Sequence, residues 1–443
     1  MKKITKHVNL AIVGGGIVGG ALAKVATQYT DIPTVALFEM GDSIGNLNSF
    51  VANNSGTLHD GSIEHYNRAK AEVVDKMVGY TSTYFNRHLP ESSNVYRKGP
   101  KLLIGVGDEE CAVVTDRFNG FSDLYPMMEL INAAEIAKRE PYIMKGRNPK
   151  QSIVAIANEG YTVDFGLLAK QFVIDAMSTG RLDRYMNTRI MEREIFRLGD
   201  KYVLTDSHGR LFTADTVVFA AGAYSLMAAK ALGLGSHLGI LSIFGNYYYS
   251  KVPNMIIGKA YTVQDPSRPN AAIHADAEMH NPSMTRMGPT ALVLPILADG
   301  DWSTFADYLR VSVPTWKGAK TLASIVADPK MFAYMLHNMA YQLPVIGKEL
   351  FAQSARKIIP TLKASQLEVH HGKGIRAQIV NTQTGKLELG DTQVVGENII
   401  CNNAPSPGAS VALGNGLRDA KKVVEFFRGA YTFNTDKWES DYN

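Results

Sequence analysis

The strongest hydrophobic pattern of the chain lies in its first forty residues. An apolar run at 10–13 leads into the glycine-rich segment 14–20, a helix-like stretch follows at 21–29, and a second apolar run at 34–38 ends on Glu39. This order predicts a strand, a glycine turn, a helix, a second strand and a terminal acid. It is the layout of a βαβ unit that binds a dinucleotide.

The glycines and the terminal acid of this unit each have a physical role. Gly14 permits the tight turn, Gly16 lets the backbone approach a pyrophosphate, and Gly19 lets the helix pack closely on the strand. Glu39 is placed to accept hydrogen bonds from a ribose diol. A glycine-rich turn also occurs without any ligand, but the flanking strands and the terminal acid favour nucleotide binding. The pattern alone leaves NAD and FAD open.

The pattern beyond residue 60 alternates helical and strand-like segments. It predicts helices at 68–87, 110–140, 166–177, 319–358 and 410–427, and strands at 95–107, 153–156, 160–164, 243–249, 259–263, 271–274, 291–295 and 398–402. The strands between 239 and 297 indicate a separate, mainly antiparallel sheet.

A second feature favours FAD over NAD. Residues 189–190, 202–205 and 216–223 predict a three-stranded β meander that runs back into the parallel sheet, which is typical of flavoprotein nucleotide domains. An NAD dehydrogenase more often continues with regular βαβ units.

These elements predict an α/β protein of two domains. One is an FAD-binding Rossmann-like domain with a β meander, and the other is a mainly antiparallel α+β substrate domain. We assign residues 1–95, 150–238 and 366–443 to the first domain, and residues 96–149 and 239–365 to the second.

Composition excludes several classes of protein. The chain has 443 residues, 45% of them hydrophobic and 20% charged, with a net charge of +4. It shows no basic-aromatic pattern for nucleic acid and no uninterrupted apolar run of transmembrane length. Cys111 and Cys401 fit neither a disulfide framework nor a metal site. We expect a cytoplasmic protein, with a peripheral position on the cytoplasmic face of the inner membrane as the alternative.

Several separated motifs together resemble one family. They are the Gly14 turn with Glu39, the loop Asn54-Ser55-Gly56 with His59 and Gly61, Ala220-Ala221-Gly222, and segments 105–110, 261–266, 285–291 and 404–409. The first three resemble the FAD-dependent oxidoreductases of amino and hydroxy acids. The others are similar to the malate:quinone oxidoreductases, and the resemblance spans nearly the whole chain.

The resemblance implies a flavoprotein of the tricarboxylic acid cycle. It would bind FAD non-covalently, oxidise (S)-malate to oxaloacetate and pass the electrons to a membrane quinone. The cofactor contacts implied in this sequence are Gly14, Gly16, Gly19, Glu39, Asn54, Ser55, Gly56, Ile190, Ala221, Gly222, Pro407 and Gly408.

Oxidation of a 2-hydroxy acid needs a base for the hydroxyl proton and a clamp for the carboxylate. Histidine suits the base at neutral pH, and His59 and His274 both lie in candidate site segments. Arginine offers a planar fork to a carboxylate, and a dicarboxylate would use both Arg286 and Arg376. Each of these residues could instead be structural, and which histidine is the base stays open.

Other functions remain as alternatives. Segment 374–378 is nearer to the L-2-hydroxyglutarate dehydrogenases, so L-2-hydroxyglutarate or L-lactate is the alternative substrate. A non-catalytic FAD-binding electron-transfer subunit and an NAD-dependent dehydrogenase are less favoured.

A stripe of apolar residues on a predicted helix also has two interpretations. It consists of Met331, Phe332, Met335, Leu336, Met339 and Leu343. Such a stripe is more typical of a core. With Trp302, Trp316 and nearby lysines, it could instead contact quinone or lipid.

Overall fold

In the computed structural model, the described residues are 4–63, 67–264, 273–313, 316–370, 372, 374–388, 390–405 and 407–443. Asp265, Pro266 and Ser406 of the predicted motifs lie outside them, as does the start of the strand predicted at 271–274. The strands are β1 (Ile4–Val13), β2 (Val35–Phe38), β3 (Tyr96–Val106), β4 (Glu129–Asn132), β5 (Ile153–Val163), β6 (Leu182–Tyr185), β7 (Phe196–Leu198), β8 (Lys201–Thr205), β9 (Leu211–Phe219), β10 (Leu238–Phe244), β11 (Tyr247–Ser250), β12 (Lys259–Thr262), β13 (His274–Ala277), β14 (Thr285–Gly288), β15 (Leu292–Val293), β16 (Leu367–His370), β17 (Ile375–Asn381), β18 (Lys386–Glu388), β19 (Thr392–Gly396) and β20 (Ile399–Asn403).

The α-helices of the described residues lie between and beside these strands. They are α1 (Ile17–Tyr29), α2 (Arg68–His88), α3 (Asp108–Phe121), α4 (Ala133–Arg139), α5 (Pro141–Met144), α6 (Phe165–Met177), α7 (Ala223–Ala231), α8 (Phe305–Ser312), α9 (Trp316–Ala327), α10 (Pro329–Ala340), α11 (Ile346–Ala355), α12 (Ala412–Phe426) and α13 (Thr435–Tyr442). None of the helices in the described ranges is both long and apolar enough to cross a membrane.

The first sheet has the strand order β19-β20-β9-β1-β2-β6. Strand β1 lies between β2 and β9 and is parallel to both. Strands β7, β8 and β9 pair antiparallel in sequence order, so the predicted meander returning to the parallel sheet is confirmed. Its first strand lies at 196–198 rather than beginning at 189–190, where Ile190 forms only an isolated bridge with Asp206. The predicted βαβ unit is likewise confirmed as β1, α1 and β2. The fold class is therefore the one expected from the sequence.

Alternate residues of β1 face two different cores. Leu10 and Ile12 pack with the helical layer that includes α1, α6 and α12. Ala11 and Val13 pack on the opposite face, with the meander and β10. Because both faces of this strand are covered, it is a continuous apolar run rather than an alternating one.

The predicted second sheet is divided between two sheets. Strands β15-β10-β17-β18 form a four-stranded sheet, and β16-β11-β14-β13-β12-β3-β5-β4 form an eight-stranded sheet. We call the eight-stranded sheet the substrate sheet. Pairing is antiparallel except between β12 and β3.

Strand pairing also bears on the domain boundaries. Strands β5, β16, β17 and β18 lie in segments that we assigned to the FAD-binding domain, yet they pair with strands of the other two sheets. We therefore propose that residues 150–163 and 366–388 belong with the substrate domain.

Two predicted helices differ from the structure. The helix expected at 110–140 is interrupted, because residues 129–132 form strand β4, which pairs with β5. The last long helix begins at Ala412 rather than at 410, after a turn at 407–410. The helices expected at 319–358 are confirmed as α9, α10 and α11.

Candidate active site

The glycine turn between β1 and α1 requires glycine at two positions. Gly14 has φ +108°, and a Cβ there would lie 2.5 Å from the Ala220 carbonyl oxygen. A Cβ at Gly19 would lie 1.9 Å from the carbonyl oxygen of Gly14. At Gly16, in contrast, a Cβ would meet only Ser49 Oγ, at 3.3 Å. The space beside Gly16 is therefore open to a ligand, as close approach of a pyrophosphate requires.

The Glu39 carboxylate is held at the end of β2 by main-chain groups. Its Oε2 accepts a hydrogen bond from the Gly15 N–H at 2.7 Å, and its Oε1 accepts one from the Gly41 N–H at 2.7 Å. A carboxylate oxygen has further acceptor capacity beyond one such bond. Glu39 is thus oriented to accept hydrogen bonds from ribose hydroxyls.

The segment at 47–56 packs directly against the start of α1. Ser49 Oγ accepts a hydrogen bond from the Ile17 N–H at 2.9 Å. Asn54 Oδ1 accepts one from the Gly56 N–H at 2.8 Å, and Gly56 has φ +58°. Asn54 Nδ2 in turn donates to the carbonyl oxygen of Phe50. These bonds fix Asn54, Ser55 and Gly56 beside the glycine turn.

The predicted contacts after the meander lie at the same end of the first sheet. Ile190 is buried, and the Ala221 N–H donates to Ser225 Oγ at 2.9 Å. Gly222 has φ +58° and precedes α7. Arg189, which was predicted only as part of a strand, also lines the cavity, and its guanidinium lies 5.0 Å from the centre of the Tyr224 ring.

The turn before α12 is joined to the His59 loop. Ser410 Oγ accepts a hydrogen bond from the His59 N–H at 2.9 Å and donates one to the Thr57 carbonyl oxygen at 3.2 Å. Pro407 and Gly408 lie in the same turn, where a Cβ at Gly408 would be 2.4 Å from the Ala404 carbonyl oxygen. These hydrogen bonds join the turn before α12 to the loop that carries His59.

His59 and His274 are brought together around Tyr261. The Tyr261 ring is stacked on the His274 ring with centres 5.0 Å apart, and it meets the His59 ring edge-on at 6.4 Å. The Tyr261 hydroxyl is hydrogen-bonded to Thr57 Oγ1 at 2.8 Å. Tyr261 is the first residue of the motif at 261–266, but no role for it was predicted from the sequence.

The two histidines have different surroundings. His59 is half-buried, and its Nε2 lies 3.4 Å from Ser55 Oγ. His274 is buried, and its Nε2 lies 3.5 Å from Asp276 Oδ1. Burial lowers the pKa of His274 to about 4, although the charge of Asp276 opposes this shift. His274 is therefore neutral at physiological pH.

A buried row of charges crosses the substrate sheet below these rings. Strand register aligns Lys101, Lys259, Asp276 and Arg286 on four neighbouring strands. Residues in register project to the same face of a sheet, and the next row on that face includes Tyr261 and His274. Lys101, Lys259 and Asp276 were not among the site residues predicted from the sequence.

The charges within this row compensate one another. Asp276 Oδ2 lies 3.0 Å from Arg286 Nη2 and 3.7 Å from Lys259 Nζ. Burial alone would raise the pKa of Asp276, but the cations Lys259 and Arg286 lower it. Burial lowers the pKa of Lys259 to about 8. Asp276 is therefore an ionised carboxylate below the histidine.

Arg286 holds the loop rather than facing the cavity. It is 2% exposed, and its Nη1 donates to the carbonyl oxygens of Val51 and Asn54 at 3.2 and 3.1 Å. Its Nη2 donates to the carbonyl oxygen of Ser55 and to Asp276. These contacts favour a supporting role over the predicted contact with substrate.

Arg376, unlike Arg286, faces the cavity. It lies on β17, is half-buried and lines the central cavity. Within the described ranges, its guanidinium has no carboxylate partner, and its Nε lacks a hydrogen-bond acceptor. Burial lowers its pKa, and Tyr334 nearby raises it. A planar cation in this setting is suited to bind a carboxylate.

One cavity connects most of the predicted cofactor and substrate residues, but Gly19, Gly56 and Arg286 do not line it. Its volume is 1290 Å³, more than a drug-sized ligand needs. Its lining includes Gly14, Gly16, Glu39, Asn54, Ser55, His59, Ile190, Ala221, Gly222, Tyr261, His274, Arg376, Pro407 and Gly408. The open space beside Gly16, the oriented Glu39 carboxylate and this volume fit an extended FAD with a small substrate beside it.

Comparisons with known proteins agree with this geometry. Two solved structures share the fold: L-α-glycerophosphate oxidase from Mycoplasma pneumoniae with FAD bound, and glycine oxidase from Geobacillus kaustophilus. Their TM-scores are 0.68 and 0.66, each at 16% identity, with 97% and 95% of both chains covered.

Closer relatives share the sequence as well. A probable malate:quinone oxidoreductase from Helicobacter pylori strain P12 is 32% identical over 426 residues, 94% of each chain. One from Campylobacter jejuni is 32% identical over 452 residues, 98% of each chain. The malate:quinone oxidoreductase family itself matches residues 6–440. The chain is therefore an FAD-dependent oxidoreductase that belongs to the malate:quinone oxidoreductase family.

Proposed function

We propose that the protein oxidises (S)-malate to oxaloacetate and passes the two electrons to a quinone. The observation that carries this proposal is the single cavity that joins the glycine turn to His59, His274 and Arg376. Family membership and the names of the relatives support the same substrate and acceptor. Bound FAD supplies the two-electron acceptor for the hydride that leaves the substrate carbon.

Arg376 would bind a substrate carboxylate. Its guanidinium lines the cavity, and a carboxylate there would form two charge-assisted hydrogen bonds with it. Arg286 would act indirectly, because its described hydrogen bonds go to Asp276 and to the carbonyl oxygens of the 51–55 loop. In this proposal Arg286 is a positioning residue for the cofactor-side loop.

His274 would take the hydroxyl proton. It is neutral before the reaction, so a ring nitrogen can accept a proton. Asp276 lies 3.5 Å from its Nε2 and would compensate the positive charge that forms. Tyr261 is stacked on the ring and restricts its orientation. His59, whose ring meets Tyr261 edge-on, would help to position the substrate.

Anaerobic bleaching of the flavin tests the proposal directly. The purified yellow protein is mixed without oxygen with (S)-malate, (R)-malate, L-2-hydroxyglutarate or L-lactate. We expect rapid loss of flavin absorbance with (S)-malate, and its return when a water-soluble quinone is added. If only L-2-hydroxyglutarate or L-lactate bleached the flavin, that acid would replace (S)-malate as the proposed substrate. If the flavin absorbance did not return after the quinone was added, quinone would be rejected as the electron acceptor.

A further inference from the structure

The outer face of α10 is unusually apolar for an exposed helix. Phe332, Leu336 and Met339 are 49% to 52% exposed and recur at helical spacing. Leu343, Val345 and Ile346 continue this surface into the turn before α11 and are 51% to 85% exposed. We call these six residues the α10 face. The interpretation of the whole stripe as core is therefore wrong for Phe332, Leu336, Met339 and Leu343.

Positive charge lies in the segments around this face. Lys317 and Lys320 on α9 and Lys330 at the start of α10 are exposed, and Lys348 follows Ile346 on α11. Glu349, next to Lys348 in the sequence, is paired with Arg356 instead, and the ion pairs within the described ranges include none of these four lysines. The nearby Asp328 is occupied by its hydrogen bonds to the first turn of α10.

The inner face of α10 contacts the wall of the cavity. Asn338 Oδ1 accepts a hydrogen bond from the N–H of Ala291, a residue that lines the cavity. Tyr334, also on this helix, packs against the cluster that includes Ile243 and Ala291, both of which line the cavity. One helix, about 10 Å across, therefore separates the exposed apolar surface from the substrate side of the cavity.

We propose that the α10 face docks on an anionic lipid bilayer. Apolar side chains at this spacing would enter the headgroup boundary, while the unpaired lysines would contact negatively charged headgroups. A protein partner is less favoured, because the negatively charged headgroups of the bilayer complement the positive charge of the four lysines. Docking through this face rests on the proposed function, in which the acceptor is a quinone of the bilayer.

Flotation with lipid vesicles tests the docking. The FAD-loaded full chain is mixed with phosphatidylethanolamine–phosphatidylglycerol vesicles, and the bound fraction is measured at low and high salt. We expect binding that weakens with salt, because lysine–lipid attraction is screened. The double variant Leu336→Glu, Met339→Glu should lose at least about tenfold in vesicle affinity, since it places charge on the apolar surface.

A matched control carries the same charge change elsewhere. Ile174 and Met177 are exposed apolar residues on α6, 57% and 42% exposed. The variant Ile174→Glu, Met177→Glu should bind vesicles as the unmodified protein does. Flavin absorbance and circular dichroism of both variants show whether they are folded and loaded.

The outcomes separate docking from malate oxidation. Equal vesicle binding by the α10-face variant and the control, or no binding by the unmodified protein, would overturn the docking proposal. Dimerisation that the α10-face variant abolishes, seen by light scattering without vesicle binding, would instead assign the face to a second copy of the chain. Flavin bleaching by (S)-malate is scored separately, so failure of the catalytic proposal leaves the vesicle result readable.

Discussion

Arg286 Nη2 lies 3.0 Å from Asp276 Oδ2, and both side chains are buried in the substrate sheet. The same guanidinium donates hydrogen bonds to the carbonyl oxygens of Val51, Asn54 and Ser55. At the other end of the row, Lys101 Nζ lies 2.5 Å from an Asp60 carboxylate oxygen. Two cations of one sheet therefore hold both ends of the loop that carries His59.

Replacement of Arg286 by Met should destabilise the protein and weaken FAD retention. The substitution leaves Asp276 with less compensating charge, and loss of one partner of a buried pair costs about 3–5 kcal/mol. Urea unfolding of the loaded protein and ultrafiltration of released FAD measure the two effects. Normal stability and normal FAD retention with a raised KM for malate would instead show that Arg286 contacts the substrate.

Two glycine substitutions should separate folding from cofactor binding. Gly14→Ala forces a Cβ to within 2.5 Å of a main-chain oxygen at a positive φ, so we expect little folded protein. Gly16→Ala meets only Ser49 Oγ at 3.3 Å, so the chain should fold. Its methyl group would occupy the space needed by the pyrophosphate, and FAD affinity should fall at least about tenfold. Thermal unfolding and FAD titration of the apoprotein measure these effects, and equal behaviour of the two variants would contradict them.

Stability should decrease as the pH falls from 6.5 towards 4. Burial lowers the pKa of His274 from 6.5 to about 4, so in this range the unfolded chain binds a proton that the folded protein excludes. The unfolded state is thereby favoured, by up to about 3 kcal/mol at the acid end. Urea unfolding at several pH values measures the slope. His274→Asn should reduce the slope, and an unchanged slope in this variant would contradict the prediction.

The elements that sequence predicted best are those with a local signal. The βαβ unit at 10–39 is defined by apolar runs and by glycines, of which Gly14 and Gly19 leave no room for a side chain. Helix α2 is likewise set by the helical spacing of its apolar positions and matches the predicted bounds within one residue. The helix predicted at 110–140 failed because β4 is stabilised by pairing with β5, a contact distant in sequence.

In the candidate site, too, residues with a local sequence signal were predicted, whereas those that depend on contacts distant in sequence were missed. His59 and His274 were predicted because histidine in such segments suggests proton transfer, and both line the cavity. Lys259 and Asp276 each alternate with apolar neighbours on a short strand. They were missed because only the strand register shows that the two side chains are adjacent. Arg286 and Arg376 could not be distinguished by type, since only tertiary contacts show which guanidinium is occupied by main-chain carbonyls.

The two histidines should respond differently to substitution. If His274 takes the proton, His274→Ala should slow flavin bleaching by malate about 10²- to 10⁴-fold. His59→Ala should raise the malate concentration for half-maximal bleaching more than it lowers the limiting rate. Stopped-flow bleaching over a range of malate concentrations separates the two effects. A larger loss of limiting rate in the His59 variant would transfer the role of base to His59.

Arg376 should contribute to substrate binding and little to folding. Its guanidinium lines the cavity, and a charge-assisted hydrogen bond is worth about 1.5–3 kcal/mol, so Arg376→Met should lower kcat/KM for malate about 10- to 150-fold. Arg376→Lys should recover only part of the loss, because an ammonium group cannot form the planar two-bond contact. Urea unfolding and FAD retention of both variants should stay close to those of the unmodified protein, in contrast to Arg286→Met. If Arg376→Met lost FAD while its KM for malate stayed normal, the carboxylate would have to be bound elsewhere in the cavity.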